Sequence, residues 1–210
     1  MIATFTQESF QQLCNQLANR DIQLKEIIEK HGYPPMWQRK PNFETLIHII
    51  LEQQVSLASA KAALQKLKQK IRAITPKKLL VLSDSELKDC YFSRQKIVYA
   101  RHLAQSMLNG ELNIQKIITL SDDEIRNQLT KIKGIGNWTV DIFLLMGLQR
   151  TDIFPVGDLA MINSLKKIKK LPKNISKAEI LILAKQWTPH RSIATMLLWH
   201  SYIKERNLKI

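Results

Sequence analysis

A short glycine-rich turn between two helical patterns places the strongest constraint on how this chain folds. The turn Lys133-Gly-Ile-Gly136 follows one helical pattern, and a second pattern begins at Asn137. Glycine adopts positive φ angles readily and lets another backbone approach closely. Gly134 and Gly136 therefore predict a tight helical hairpin around the apolar Ile135.

The start of the second hairpin helix is a predicted phosphate site. Asn137 is a favourable N-cap residue, and the N–H groups at a helix N-terminus readily bind an anion. Lys131 and Lys133 add positive charge at the same place. Such a hairpin would hold a phosphodiester backbone without reading bases. A glycine turn between helices is also a common packing device, so the hairpin alone leaves DNA binding and plain packing open.

The charge balance of the chain favours a polyanionic partner. Its 210 residues include 32 Lys and Arg against 18 Asp and Glu, a formal net charge of +14. Nucleic acid or an anionic membrane surface would attract such a protein. No apolar run is long enough for a membrane span, and residues 1–10 lack the basic start and apolar core of a signal peptide. We expect a cytoplasmic protein without a membrane partner, associated with the nucleoid if bacterial.

The cysteine and histidine content argues against a metal centre. Cys14 and Cys90 are the two cysteines, and they cannot by themselves supply an iron–sulfur cluster or a tetrahedral zinc site. The five histidines show no metal-ligand spacing. The sequence therefore predicts no required cofactor and no iron–sulfur cluster, in a reducing compartment.

Helix signals cover the chain, whereas strand signals are scarce. Apolar residues from Phe43 recur at helical spacing, and polar cap residues precede most helical patterns. A proline-rich stretch over residues 33–41 indicates a linker. We expect an all-α fold of two helical subdomains with a cleft between them. The expected segments are 1–40, N-terminal helices that pack with the C-terminal subdomain; 41–155, a central subdomain containing the hairpin; and 156–210, the C-terminal subdomain.

Asp158 is the strongest candidate for a catalytic residue. It follows Phe154-Pro-Val-Gly157 and comes just before an apolar run, at the predicted start of a helix. It can be a simple N-cap. The same position also stabilises its negative charge and fixes it in space. A carboxylate fixed beside a sugar can stabilise an oxocarbenium-like transition state or activate a water. Asp141, on a helix that looks buried, and Asp152, in a loop, are the competing carboxylates.

Four segments of the chain together resemble one enzyme family. They are Lys133-Gly-Ile-Gly-Asn-Trp-Thr-Val140 with Asp158 downstream, Ile50-Leu-Glu-Gln-Gln-Val-Ser56, Ser93-Arg-Gln-Lys96, and Trp187-Thr-Pro-His-Arg-Ser192 with Trp199-His200 beyond it. In this order, over roughly residues 40 to 205, they resemble the helix-hairpin-helix (HhH-GPD) DNA glycosylase superfamily. Within it, the DNA-3-methyladenine glycosylase II branch is the best match.

The resemblance implies base excision repair of alkylated DNA. A protein of this branch hydrolyses the N-glycosidic bond of bases such as 3-methyladenine and 7-methylguanine, and Asp158 would be its catalytic residue. Strand-nicking relatives carry a lysine at the position of Trp138, so the resemblance implies a monofunctional enzyme. The expected partner is double-stranded DNA with a damaged base, bound by a monomer.

The resemblance also assigns a base pocket and DNA contacts. Trp138 and Trp187 would line the pocket with His190, which stands where relatives often have an aromatic residue. Gln53 and Gln54 lie in the loop that fills the gap left by the flipped nucleotide in relatives. Ordinary core packing stays open for Trp187. The expected DNA-binding residues are Lys133, Gly134, Ile135, Gly136, Asn137, Thr139, Gln53, Gln54, Ser93 and Lys96.

Relatives also bind a monovalent cation at this hairpin through main-chain carbonyl groups. Carried onto this sequence, the carbonyls are those of Thr130, Ile132 and Ile135, and the ion would be a structural Na⁺ or K⁺ that bridges them to a phosphate. Two other functions stay open: a non-catalytic hairpin module that binds distorted DNA, and a glycosylase for deaminated or oxidised bases.

Overall fold

The fold is all-α, as predicted. The computed structural model describes residues 3–208, so the extreme ends of the predicted segments 1–40 and 156–210 lie outside the described residues. Within this range the only β pairing is a bridge between Thr4 and Arg150. The helices are α1 (Gln7–Ala18), α2 (Ile22–His31), α3 (Phe43–Glu52), α4 (Leu57–Ile71), α5 (Pro76–Val81), α6 (Asp84–Asp89), α7 (Arg94–Leu108), α8 (Ile114–Ile117), α9 (Asp122–Leu129), α10 (Asn137–Ile142), α11 (Leu159–Ile168), α12 (Lys177–Ala184) and α13 (Arg191–Glu205), with a π-helical turn at Phe143–Gly147 and a 3₁₀ turn at Lys185–Trp187.

Polar side chains begin most of these helices at the residues that the sequence indicated. Ser83 and Ser121 each form a capping box with the glutamate three residues later. In each box the serine hydroxyl accepts the N–H of the glutamate, and the glutamate carboxylate accepts the N–H of the serine. The single turn α8 was not predicted, since four residues are too few to show a helical period. Among the described residues, no helix is both long and apolar enough to cross a membrane.

The chain forms two compact units, which consist of residues 3–38 with 144–208 and of residues 39–143. The first change of unit lies inside the predicted linker. The second lies between Phe143 and Leu144, well before the predicted boundary at residue 155. The earlier boundary has a local reason, because the segment after Leu144 pairs with the N-terminal segment. The N–H of Thr151 donates to the carbonyl of Ala3, for example.

In the unit of residues 39–143, α3 is the core helix. Its apolar residues are buried on nearly every side, and it packs against α4, α7 and α10. Burial of each large aliphatic side chain contributes roughly 1.5–3 kcal/mol. Because α10 packs on both α3 and α9, this core sets the position of the glycine hairpin.

In the other unit, α13 is the central helix. It packs against α1, α2 and α11, and its residues from Ser192 to Ser201 are all buried. The polar residues among them are satisfied internally: the hydroxyl of Thr195 donates to the carbonyl of Arg191, and that of Ser192 to the carbonyl of Arg150. A buried helix of this kind is a rigid support for the side chains that it carries.

Asp21 ties together three parts of this unit. Its carboxylate caps α2 through the N–H groups of Gln23 and Leu24, and it also accepts hydrogen bonds from Lys169 and from the indole of Trp187. Burial alone would raise the pKa of Asp21. The hydrogen bonds from Lys169 and Trp187 and the charge of Lys169 outweigh that effect, so the pKa lies below its ordinary value.

The low pKa of Asp21 predicts a pH-dependent contribution to stability. We expect Asp21→Asn to lower the free energy of unfolding by about 3 kcal/mol at pH 7, because it leaves the half-buried amine of Lys169 without its counter-charge. The contribution is complete above the unfolded-state pKa and is lost as pH falls through the folded-state pKa. Urea unfolding of wild type and variant at pH 7 and at pH 3 measures this difference.

The exposed Asp89 provides a control, since Asp89→Asn should change the free energy of unfolding by less than about 0.5 kcal/mol. A difference between wild type and Asp21→Asn that stays constant down to pH 3 would contradict the low pKa of Asp21.

Candidate functional site

The hairpin turn needs glycine at one of its two positions. Gly134 has φ of +92°, and a Cβ atom added there would collide with the ring of Tyr99 on α7. Gly136 has φ of −100°, and its added Cβ would meet no atom of the described residues within 4 Å. The prediction of a glycine-dependent turn is therefore confirmed for Gly134, whereas the conformation of Gly136 and its protein neighbours would accept a side chain.

The prediction that Asn137 caps the second hairpin helix is wrong. Gly136 occupies the N-cap position, no side chain caps it, and Asn137 is the first residue of α10. The side chain of Asn137 accepts a hydrogen bond from Arg126 instead, at 3.2 Å. Arg126 also pairs with Asp141 at 2.6 Å. The guanidinium of Arg126 on α9 therefore joins the two hairpin helices through its contacts with Asn137 and Asp141 on α10.

Gln53 connects the end of α3 to the hairpin. Its side-chain nitrogen donates to the carbonyl of Gly134 at 2.9 Å and to the hydroxyl of the buried Thr139 at 3.0 Å. Two bonds from one amide hold the turn in place from outside. Gln53 and Thr139 are thus engaged inside the protein, while the neighbouring Gln54 is exposed and has φ of +57°.

Ser93 and Lys96 hold the same region from the start of α7. Ser93, expected from the resemblance to contact DNA, caps α7 by accepting the N–H of Lys96. The Lys96 amine donates to the carbonyl of Leu51 at 2.6 Å, in the last turn of α3. Burial lowers the pKa of Lys96. Lys96 therefore stabilises the end of α3, next to the Gln53 loop, whereas the hairpin residue Lys133 is exposed.

Asp158 is the N-cap of α11, and donors from two different helices hold its carboxylate. One oxygen accepts the N–H of Met161 at 2.9 Å and the indole N–H of Trp199 at 3.0 Å. Asp158 is nearly buried, with 9% of the residue exposed. These bonds come from different helices, α11 and α13, and they hold that oxygen in place before any ligand arrives.

The sequence of the chain identifies its family. Residues 47–190 match the HhH-GPD superfamily of base excision DNA repair proteins. The chain belongs to this superfamily. The matched part contains the hairpin, the Gln53 loop and Asp158, and it ends before Trp199.

Several proteins similar in sequence to this chain are named as DNA glycosylases. DNA-3-methyladenine glycosylase 1 of Schizosaccharomyces pombe is 29% identical over 190 residues, which cover 87% of this chain and 83% of the relative. YfjP of Bacillus subtilis, named provisionally as a DNA-3-methyladenine glycosylase, is 28% identical over 186 residues, 85% of this chain but 65% of that protein. The solved structure of the S. pombe glycosylase Mag1 with abasic DNA is similar at a TM-score of 0.84 and 27% identity, over 95% of this chain and all of that one.

In this HhH-GPD protein, Trp187 belongs to the core and does not line an open pocket. It is 0% exposed, its indole N–H donates to Asp21 at 2.8 Å, and its ring packs against Phe154. This is the core packing that the sequence had left open. Trp138, at the second position of α10, is half-buried and keeps part of its surface exposed.

His190 holds a partly buried imidazole at the start of α13. It occupies the N-cap position without capping the helix, and its Nδ1 atom has no hydrogen-bond partner within the described residues. Burial lowers the pKa of His190, and the charge of Arg20 lowers it further, against a weaker opposite effect of Asp152. A neutral imidazole with an unused nitrogen therefore stands next to Arg191.

The competing carboxylates are both paired with arginines. Asp152 accepts two hydrogen bonds from Arg191, at 2.8 and 2.9 Å, and Asp141 pairs with Arg126. Bidentate arginine pairs are geometrically specific and hold a loop in place. The contact between Trp199 and Asp158 was not predicted from the sequence. Trp199 appeared there only as part of the C-terminal resemblance.

The carbonyl groups expected to bind a monovalent cation lie in or beside one turn. Ile132 accepts the N–H of Ile135 at 3.0 Å, which uses one of its two lone pairs. Carbonyl oxygens suit a hard cation, so this donor set fits the expected ion. Within residues 3–208, no group of three or more His, Cys, Asp or Glu side chains is arranged to hold a metal ion. The cation at Thr130, Ile132 and Ile135 stays a prediction.

Proposed function

We propose that this protein is a DNA glycosylase that excises alkylated bases, of the 3-methyladenine and 7-methylguanine type, from duplex DNA. The observation that carries the proposal is Asp158: a carboxylate at a helix N-terminus, fixed by two N–H donors, in a chain of the HhH-GPD superfamily. The names of the relatives support the class of substrate.

The chemistry requires little beyond a fixed negative charge. A base alkylated at adenine N3 or guanine N7 is already cationic, so it leaves with the electron pair of the N-glycosidic bond and needs no proton from an acid. The sugar then carries the positive charge, which Asp158 stabilises. Water adds to the anomeric carbon and loses its proton, and an abasic site remains.

The proposed enzyme leaves the DNA strand intact. Nicking through a Schiff base needs a lysine amine, and Trp138 stands where nicking relatives would have it. The exposed part of the Trp138 ring can face the cationic base, a contact worth about 0.5–2 kcal/mol. We propose that His190, which stands where relatives often have an aromatic residue, also contacts the damaged base.

The proposed partner is double-stranded DNA, bound by a monomer in the cytoplasm. The net charge of +14 and the exposed hairpin residues Lys133, Gly136 and Asn137 support contact with phosphates. A Na⁺ or K⁺ ion held by the carbonyls of the turn would neutralise part of the phosphate charge there. Gln54, exposed and next to the anchored Gln53, is the proposed residue that fills the gap left by the flipped base.

Release of bases from methylated genomic DNA tests the function directly. We expect the wild-type protein to release 3-methyladenine and 7-methylguanine, identified by mass spectrometry. Strand breaks should appear only after alkali, because no lyase step follows, and borohydride should trap no covalent protein–DNA complex.

The other outcomes identify the alternatives. Binding of methylated duplex without release of any base would indicate a non-catalytic hairpin module. Release confined to duplexes with uracil, hypoxanthine or an oxidised base would indicate a glycosylase of another substrate class.

A further inference from the structure

The tryptophan that bonds the carboxylate of Asp158 belongs to an aromatic pair. The rings of Trp37 and Trp199 have centroids 6.1 Å apart and an interplanar angle of 76°, an edge-to-face contact. Trp199 is 7% exposed, whereas Trp37 is half-buried. Such pairs contribute beyond their buried area because the positive edge of one ring meets the negative face of the other.

The orientation of the Trp199 ring affects one oxygen atom of Asp158. The indole N–H of Trp199 donates to one carboxylate oxygen of Asp158 at 3.0 Å. A hydrogen bond of this kind weakens steeply when the donor tilts away from its acceptor. The orientation of the Trp199 ring therefore controls one of the bonds that hold Asp158, and Trp37 is an aromatic neighbour that meets this ring.

Trp37 belongs to a segment that is itself anchored to α13. It lies in the proline-rich linker just after α2, in the same compact unit as Trp199 and Asp158. The residue after Trp199 holds the end of α2, because the ring of His200 bonds the carbonyl of His31 at 3.1 Å. Consecutive residues of α13 therefore contact α2 and the linker, so the place of Trp37 is set by the packing of its own unit.

We propose that Trp37 is a positioning residue for Asp158 and that it acts through Trp199. The inference rests on the proposed function and adds to it a residue outside the matched residues 47–190. The edge-to-face contact holds the Trp199 indole in the orientation that donates to Asp158. Without it the indole loses a neighbour that fixes its tilt, and its hydrogen bond to the carboxylate weakens.

A double-mutant cycle distinguishes positioning from general packing. The variants are Trp37→Leu, Trp199→Phe and the double variant, and the quantity is the single-turnover rate of base release from a methylated duplex. Trp199→Phe removes the N–H and should lower the rate by about 10- to 100-fold. Trp37→Leu should lower it about tenfold, with the protein concentration for half-maximal rate unchanged. The double variant should be no slower than Trp199→Phe, because Trp37 has no N–H left to orient.

Two further variants separate this effect from loss of stability. Trp37→Phe keeps an aromatic edge and should retain most of the activity. Tyr33→Leu is the matched control from the same linker, since the hydroxyl of Tyr33 bonds Asn15 at 2.7 Å and contributes nothing to the Trp199 contact. It should leave the rate unchanged even if it lowers the melting temperature. Multiplicative effects in the double variant, or a full rate in Trp37→Leu, would overturn the proposal.

A measurement without DNA tests the same contact. In Trp37→Leu, the indole N–H of Trp199 should exchange with solvent about tenfold faster than in wild type, as followed by NMR. Unchanged exchange would also overturn the proposal.

If wild type releases no base from any duplex, the proposed function fails, whereas an active wild type with an equally active Trp37→Leu refutes only the role of Trp37.

Discussion

Asp158→Asn should lower the rate of base release by about 10³-fold. Asparagine has the size of aspartate and keeps a side-chain oxygen, so it can still accept the N–H groups of Met161 and Trp199 and still cap α11. What it lacks is the negative charge that stabilises the positive sugar in the transition state. The measurement is a single-turnover assay with a duplex that contains 3-methyladenine or 7-methylguanine.

Binding and folding should survive this change. We expect the affinity of Asp158→Asn for the damaged duplex to stay within about threefold of wild type, because the lost interaction belongs to the transition state. Asp152→Asn is a matched control: it removes a charge that pairs with Arg191 and should cost stability more than rate. Full activity in Asp158→Asn, or a larger loss of rate in Asp152→Asn, would refute the assignment of Asp158.

Gly134→Ala should destabilise the hairpin and disable DNA binding. We expect the free energy of unfolding to fall by about 3 kcal/mol, because the substitution combines a φ of +92° with a collision between Cβ and the ring of Tyr99. Relief of the collision requires the turn or the Tyr99 ring to move, and movement of the turn weakens the bond from Gln53 to the Gly134 carbonyl. Chemical denaturation measures the first effect, and titration of a fluorescent duplex measures the second.

Gly136→Ala provides the control for that experiment within the same turn. Its φ of −100° suits alanine, and its added Cβ meets no described atom within 4 Å, so stability should change by less than about 0.5 kcal/mol. A fall in DNA affinity at unchanged stability would indicate that the backbone at Gly136 lies against a phosphate. Equal stability of Gly134→Ala and wild type would contradict the strain assigned to Gly134.

Local patterns in the sequence predicted the parts of the fold whose causes are local. A cap residue accepts an N–H group only three residues further along the chain, so the starts of α6, α9 and α11 could be predicted from local sequence alone. The order of motifs likewise indicated the family, the hairpin and Asp158. The prediction that Asn137 caps α10 was wrong. Gly136 occupies the N-cap position, and the side chain of Asn137 accepts a hydrogen bond from Arg126, eleven residues earlier.

Tertiary packing decided which of these residues work together. Trp199 and Asp158 are 41 residues apart, and Gln53 and Gly134 are 81 apart, yet each pair shares a hydrogen bond. No periodicity encodes such a pairing, because it depends on how helices pack after they have formed. For the same reason, sequence alone could not separate Trp187, which is used in the core, from Trp37 and Trp199, which stand behind the carboxylate. The sequence by itself determined the helices, the turn and the charged residue at a helix start, and only the packing of distant helices decided what holds that residue in place.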